Sequence, residues 1–250
     1  MRTKPAWIKR PLCSTTLVAL AALVALPLMA ESQTAAQYVE SHFTKDLVKH
    51  VDVDYRVYLP ASYEKTDKPW PLLVWLHGDG GQANRGGWKE IESYGPLYML
   101  GKRAELPFVI LAPQLWGEVH WDPDAVHALL LETVRQYDVD PDRVLLMGYS
   151  RGGFGAWELA SSYPETFAAV VPISARPMTA IERVKEMGVW IFHGELDDGV
   201  PVGGALDMHQ ALKAADADVR LTIYPAVGHN AVGPAMATES LWEWLLAQRR

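Results

Sequence analysis

The residues best suited to chemistry lie at Gly148-Tyr149-Ser150-Arg151-Gly152, which fits the pattern G-x-S-x-G. An apolar run, Val144 to Met147, leads into it, and a helical pattern leads out. A strand that becomes a helix through two glycines leaves the central serine at the tip of a tight turn, with its hydroxyl exposed. The strand and the helix then nearly touch, so a side chain at Gly148 or Gly152 would collide. The first amides of the helix point at any negative charge that develops beside Ser150. A serine hydroxyl alone is a poor nucleophile at neutral pH. It needs an adjacent base, and the base needs an acid to orient it.

Both partners have candidates downstream, in the order acid then base that this strand-turn-helix arrangement calls for. Asp197 and Asp198 follow the apolar run Val189 to Phe192, and both are open as the acid. His229, in Pro225-Ala-Val-Gly-His-Asn230, is the candidate base. A histidine can take the serine proton during attack and return it to a leaving group. Upstream, His77-Gly-Asp-Gly-Gly81 follows Leu72 to Leu76. Its glycines let the backbone turn an N–H toward a substrate. The backbone amides of Asp79 and Arg151 are therefore the expected oxyanion donors. His77 itself is expected to be a structural hydrogen-bonding group. The Asp79 carboxylate would oppose an oxyanion, so it should turn away onto a backbone amide or an arginine. Arg151 is expected to pair with an acid.

Trp88, Trp116 and Trp121 fall in predicted loops on the same rim and are candidate substrate-binding residues. Trp157, Trp190, Trp242 and Trp244 fall on predicted elements and are expected in the core. His193 lacks the H-E-x-x-H spacing of a metal site, and Gly78 to Gly87 lacks the Lys-Ser/Thr of a phosphate loop. Neither a metal site nor a phosphate loop is expected from these residues.

These residues need a scaffold that brings strand ends together. From Leu72 onward, buried apolar strands alternate with helical stretches. That pattern calls for an α/β fold, with a mostly parallel sheet and helices on both faces. Alternation at Val51, Val53, Tyr55 and Val57 predicts antiparallel strands at the N-terminal edge. Helices are predicted over 93–103, 123–137, 151–163, 179–186, 204–215 and 238–248. Asp122 before Pro123 reads as an N-cap with proline at the first helical position. His77, Gln114, Ser150, Asp197 and His229 each follow a predicted strand. Ligands in such sheets bind at the carboxyl ends of strands, so one rim gathers all five.

The chain has 250 residues, 49% of them hydrophobic and 21% charged, which suits one sizeable core. Its net charge is −7, and residues 1–30 hold Arg2, Lys4, Lys9 and Arg10 but no acid, so the remainder is more acidic still. That argues against nucleic acid as a partner. The basic start and the apolar stretch Leu17 to Ala30 read as a signal peptide over residues 1–32. An uncleaved anchor is the rival reading, weakened by the short run and by Pro27. Residues 33–250 then form a single domain that is secreted or periplasmic, with no stable membrane partner after cleavage. The one cysteine, Cys13, lies in the leader, so the exported body would hold no disulfide and no thiol nucleophile.

Longer motifs carry a family resemblance. Gly148-Tyr-Ser-Arg-Gly-Gly-Phe-Gly-Ala-Trp157, followed by Tyr163-Pro-Glu-Thr-Phe-Ala-Ala-Val-Val-Pro172, resembles the secreted carboxylesterase and "predicted peptidase" group of α/β-hydrolases. Relatives of that group include polyhydroxybutyrate depolymerases and feruloyl esterases. The similarity continues through Val189-Trp-Ile-Phe-His-Gly194, Asp197, Val200-Pro201, Val219 to Pro225 and Gly228-His-Asn230, and reaches the C-terminal helix. It implies an α/β-hydrolase fold, a Ser150–His229–Asp197 triad and hydrolysis of a small-molecule or polymeric ester through an acyl-enzyme, without a cofactor. It also selects Asp197 over Asp198, because the family's acid stands at that position after His-Gly. Three departures surround the pocket. Arg151 stands where methionine is common, Gly78-Asp-Gly-Gly-Gln82 replaces Gly-Ala-Gly-Glu-Arg-Gly, and Ala231-Val-Gly233 stands where a tryptophan is common. A serine peptidase of the same fold, and a member that only binds, are the alternatives.

Overall fold

Seven strands form one sheet in the order β1-β3-β2-β4-β5-β6-β7. The computed structural model describes residues 44–45, 48–65, 67–100, 102–103, 106–115, 117, 120–177 and 183–250. The expected leader, Trp116 and the first part of the helix predicted over 179–186 lie outside the described residues. The chain divides into two units, Met1–Val48 and Lys49–Arg250, and the sheet belongs to the second.

The strands are β1 (Tyr55–Tyr58), β2 (Trp70–Leu76), β3 (Val109–Pro113), β4 (Val139–Tyr149), β5 (Ala169–Ile173), β6 (Gly188–Gly194) and β7 (Val219–Tyr224). All neighbours pair in parallel except β1 with β3. The α/β-hydrolase sheet expected from the sequence is present, with one correction at its edge. Val51 and Val53 are not in a strand; only Tyr55–Tyr58 pairs, and Tyr55 is opposite Pro113. One further backbone bond lies beyond that pair, from Gln114 N to Asp54 O at 2.8 Å, and Val51 and Val53 lie outside it.

Helices cover both faces. On one side lie α3 (Pro123–Gln136), α4 (Arg151–Ser162) and α5 (Gly203–Ala214), packed on Leu72, Val74 and Leu146. On the other lie α1 (Gly87–Ile91), α2 (Gly95–Met99), α6 (Val232–Met236) and α7 (Glu239–Ala247), packed on Leu73, Trp75 and Met147. Successive residues of β2 thus feed opposite cores, as a strand buried on both faces requires. The predicted cap of α3 is in place, with Asp122 Oδ1 accepting from the amides of Asp124 (3.1 Å) and Ala125 (3.3 Å). The helix predicted over 93–103 shrinks to α2, and α1 occupies part of the predicted loop before it. α2 opens on Gly95 at φ +65°, where a Cβ would fall 2.3 Å from the Trp75 ring.

The chain moves outward from β2 to β3, then crosses back so that β4 lies on the other side of β2. The order reverses between β2 and β4, which opens a crevice at their carboxyl ends. His77 and Ser150 follow those two strands.

Candidate active site

Ser150 sits where β4 gives way to α4, with φ 53° and ψ −118°. That backbone conformation is rare for a residue with a side chain and is held here by its surroundings. Its amide donates to Ile173 O (2.9 Å), and its carbonyl accepts from Phe154 N (3.0 Å). A Cβ on Gly148 would lie 2.0 Å from Gly152 O, and one on Gly152 would lie 1.9 Å from Leu76 O. Only glycine lets strand, turn and helix approach this closely. The steric demand read from G-x-S-x-G is therefore met in full.

His229, from the loop after β7, points Nε2 at Ser150 Oγ at 2.7 Å, and its Nδ1 lies 2.8 Å from Asp197 Oδ2. A carboxylate only accepts, so the proton is on Nδ1 and Nε2 is left to accept from the serine hydroxyl. Asp197 is 5% exposed and its second oxygen is also occupied. Oδ1 accepts from Gly199 N (3.1 Å) and Val200 N (2.8 Å). Asp198 is exposed and takes no part in this chain of bonds.

Two supports of this chain have no motif in the sequence. Ser174, just past β5, donates its hydroxyl to His229 O at 2.7 Å. Buried His193 places Nε2 2.8 Å from Val200 O and 3.3 Å from Asp197 Oδ2. Ser174 ties down the loop that carries His229, and His193 the turn that carries Asp197.

The expected oxyanion loop is a single 3-10 turn, Asp79–Gly81. His77 anchors its base as a structural group, with Nδ1 donating to Gly78 O (2.6 Å) and Nε2 accepting from Leu115 N (3.0 Å). Tyr94 holds the same stretch by accepting from Gly78 N through its hydroxyl (2.9 Å). The Asp79 carboxylate turns away to an arginine, as expected. It pairs with Arg151 and with Arg85, and Gln82 donates to it at 3.0 Å. Arg151 stands first in α4, where first-turn amides are not used inside the helix and point outward.

Burial, with the positive charge of Arg151 nearby, pushes the His77 imidazole down to about 4. The unfolded chain therefore binds more protons at this residue between about pH 6.5 and 4. The contribution of neutral His77 is complete at pH 7, and about 3 kcal/mol is lost as the pH falls through that window. Thermal unfolding of the wild type should show Tm falling from pH 7 to pH 4.5, and His77→Gln should flatten that slope. An unaltered slope in the variant would rule out this residue as its source.

Two cavities meet at Ser150 and Asp79. One, of about 450 Å³, is lined by Trp121 and Phe154, with Glu158 and Arg176. The other, of about 470 Å³, is walled by Tyr94, Tyr149, His229 and Asn230, with Glu90 and Ser93. Trp121 thus lines a cavity that Ser150 also lines, and it is set edge-on to His77. Trp88 does not, which corrects the reading of its position. It belongs to α1 rather than a loop, lines neither cavity, and lies under the Arg56 guanidinium of β1 at 4.3 Å. Tyr94, Tyr149, Phe154, Glu90 and Arg176 are lining residues that sequence reasoning did not find. Tyr149 was in plain view inside the motif, and its ring lies 5.4 Å from that of His229. Burial, with Asp197 nearby, pushes its phenol up to about 12, so it stays neutral.

Among the described residues no group of three His, Cys, Asp or Glu side chains could hold a metal ion, and no helix is long and apolar enough to cross a membrane. The arrangement offers a polarised hydroxyl, a base, a buried acid and a helix N-terminus around one point. Those parts suit acyl transfer.

Known proteins place the chain in a setting consistent with that chemistry. The Dienelactone hydrolase family matches residues 111–235, which is half of the chain. NocK of Nocardia uniformis subsp. tsuyamanensis, which carries the name of an esterase, is 27% identical over 199 residues, covering 74% of this chain and 53% of that protein. The acylamino-acid-releasing enzyme of Mus musculus is 23% identical over 240 residues, covering 73% of this chain and 32% of that enzyme. The chain therefore spans about half the length of the first of these relatives and about a third of the second. Among solved structures, a thermostable esterase superposes with a TM-score of 0.69 at 26% identity, covering 80% of this chain and 60% of that one.

Proposed function

The chain belongs to the dienelactone hydrolase family, and on that premise we propose that it cleaves carboxylic esters through an acyl-enzyme on Ser150. The observation that carries this reading is the unbroken hydrogen-bond chain from Asp197 through His229 to Ser150, opening onto two cavities. Ser150 Oγ attacks the ester carbonyl as its proton passes to His229 Nε2. The carbonyl oxygen becomes an oxyanion and accepts from the amides of Asp79 and Arg151. A single donor of this kind contributes about 3–4 kcal/mol to the transition state. Collapse of the tetrahedral intermediate breaks the bond to the alcohol, which takes the proton from His229. Water then repeats the sequence on the acyl-serine, and the acid is released.

The position of the proton donor supports one orientation of the substrate. His229 lines the cavity with Tyr94, Tyr149 and Asn230, so the departing alcohol belongs there. The acyl group then occupies the cavity beside Trp121 and Phe154. Similarity to the acylamino-acid-releasing enzyme favours a second reading, amide cleavage after an acylated residue. One panel separates the two. Under the ester reading p-nitrophenyl acetate and butyrate turn over, while matched p-nitroanilides and acetyl-amino-acid anilides remain essentially intact. Preferential cleavage of the anilides would replace the ester reading with the second one.

A further inference from the structure

The two residues expected to supply the oxyanion donors are also joined through their side chains. Asp79 follows β2 and Arg151 follows β4, far apart in the chain, yet the Arg151 guanidinium pairs with Asp79 Oδ1. We propose that this ion pair is a clasp that sets the spacing of the two donor amides and cancels the Asp79 charge beside the developing oxyanion. The inference rests on the ester-hydrolysis reading and gives Arg151 a positioning role that the motif alone does not assign.

Three observations bear the weight. The loop on the Asp79 side is short and rigidly held, by His77 below it and by Tyr94 at Gly78. The Asp79 carboxylate is occupied on both oxygens, by Arg151 on one and Arg85 on the other, with Gln82 as a further donor. The pair is partly buried, with the Arg151 side chain 25% and the Asp79 side chain 34% exposed, so solvent screens it less than a free surface pair. A bare carboxylate at this place would repel the oxyanion it helps to bind. With the guanidinium across it, the same residue can lend its amide without that penalty. The effect appears only as negative charge develops on the substrate, so it acts on kcat and not on KM.

A double-mutant cycle tests this, with p-nitrophenyl butyrate as substrate and phenylboronic acid as a tetrahedral mimic. Arg151→Met should lower kcat about 10- to 100-fold, short of the loss of a whole donor. KM should stay nearly constant, and the inhibition constant of phenylboronic acid should rise by the same factor. Arg151→Lys should recover most of the loss. In combination with Asp79→Asn, the same Arg151→Met change should cost little, because there is no longer a charge to cancel. An equal cost in both backgrounds, or a rise in KM with kcat unchanged, would mean that Arg151 touches the substrate directly, and the clasp would be overturned. Arg151→Gln serves in the same cycle should Arg151→Met fail to fold. Fluorophosphonate labelling of wild-type Ser150 separates the two levels. No labelling sinks the hydrolase reading and the clasp with it, whereas labelling without coupling between positions 79 and 151 sinks the clasp alone.

Discussion

Ser150→Ala is expected to reduce turnover of p-nitrophenyl butyrate by about 10⁴- to 10⁶-fold while the chain stays folded. The loss is large because the acyl-enzyme route ends when the attacking oxygen is removed, and what persists is the environment around water. The fold should barely notice. Among the described residues Ser150 Oγ is bonded to His229 alone, and one such bond contributes about 1 kcal/mol. Alanine accepts the same turn as serine, since the positive φ is imposed by contacts of the backbone at 148 and 152. A fluorophosphonate should label the wild type at Ser150 and leave the variant unlabelled. Near-normal turnover in a folded Ser150→Ala protein would end the proposed mechanism.

Asp197→Asn should cost about 10⁴-fold in kcat, and Asp198→Asn less than about twofold. Hydrogen-bond direction accounts for the difference. Oδ1 of Asp197 accepts from the amides of Gly199 and Val200, so an asparagine must keep its carbonyl oxygen there. Its NH₂ group then faces His229 Nδ1, which has to give up its proton to accept from it. The imidazole proton moves to Nε2, where it points at Ser150 and cannot act as a base. The same NH₂ also faces His193 Nε2, a second donor–donor contact in a buried place. Asp198 faces solvent and has no comparable role. A larger fall at Asp198 than at Asp197 would reassign the acid.

Much of this site is legible in the sequence alone. Ser150, His229 and the pair Asp197–Asp198 announce themselves because each follows a predicted strand, and strand ends are what a parallel sheet gathers. The choice between the two aspartates was not legible from strand position. It came from the resemblance, and its physical basis is the turn at Gly199 and Val200 that folds one carboxylate inward. The Asp79–Arg151 contact was half legible. Electrostatics calls for the carboxylate to turn onto a backbone amide or an arginine, but Arg85 comes from a loop with no pattern. Tyr94 and Ser174 were invisible for a related reason. Each acts on a neighbour in space through one hydroxyl, and a single hydroxyl leaves no periodicity. Trp88 was misplaced because a helix as short as Gly87–Ile91 has too few residues to show a period.

The reversal of strand order between β2 and β4 has a further consequence for how activity is acquired during folding. Leu72 through Leu76 pair with Val144 through Gly148, so the loop after one strand and the turn after the other become neighbours only when a large stretch of chain has closed between them. Pairings with such high contact order form slowly, because the entropy of closure is lost before any contact compensates it. A nascent chain released before Gly148 carries the whole of β2 and β3 but no nucleophile. A collapsed intermediate with its helices formed but β2 and β4 unpaired has the nucleophile without its second donor. Recovery of activity during refolding is therefore expected to report on closure of the centre of the sheet rather than on helix content.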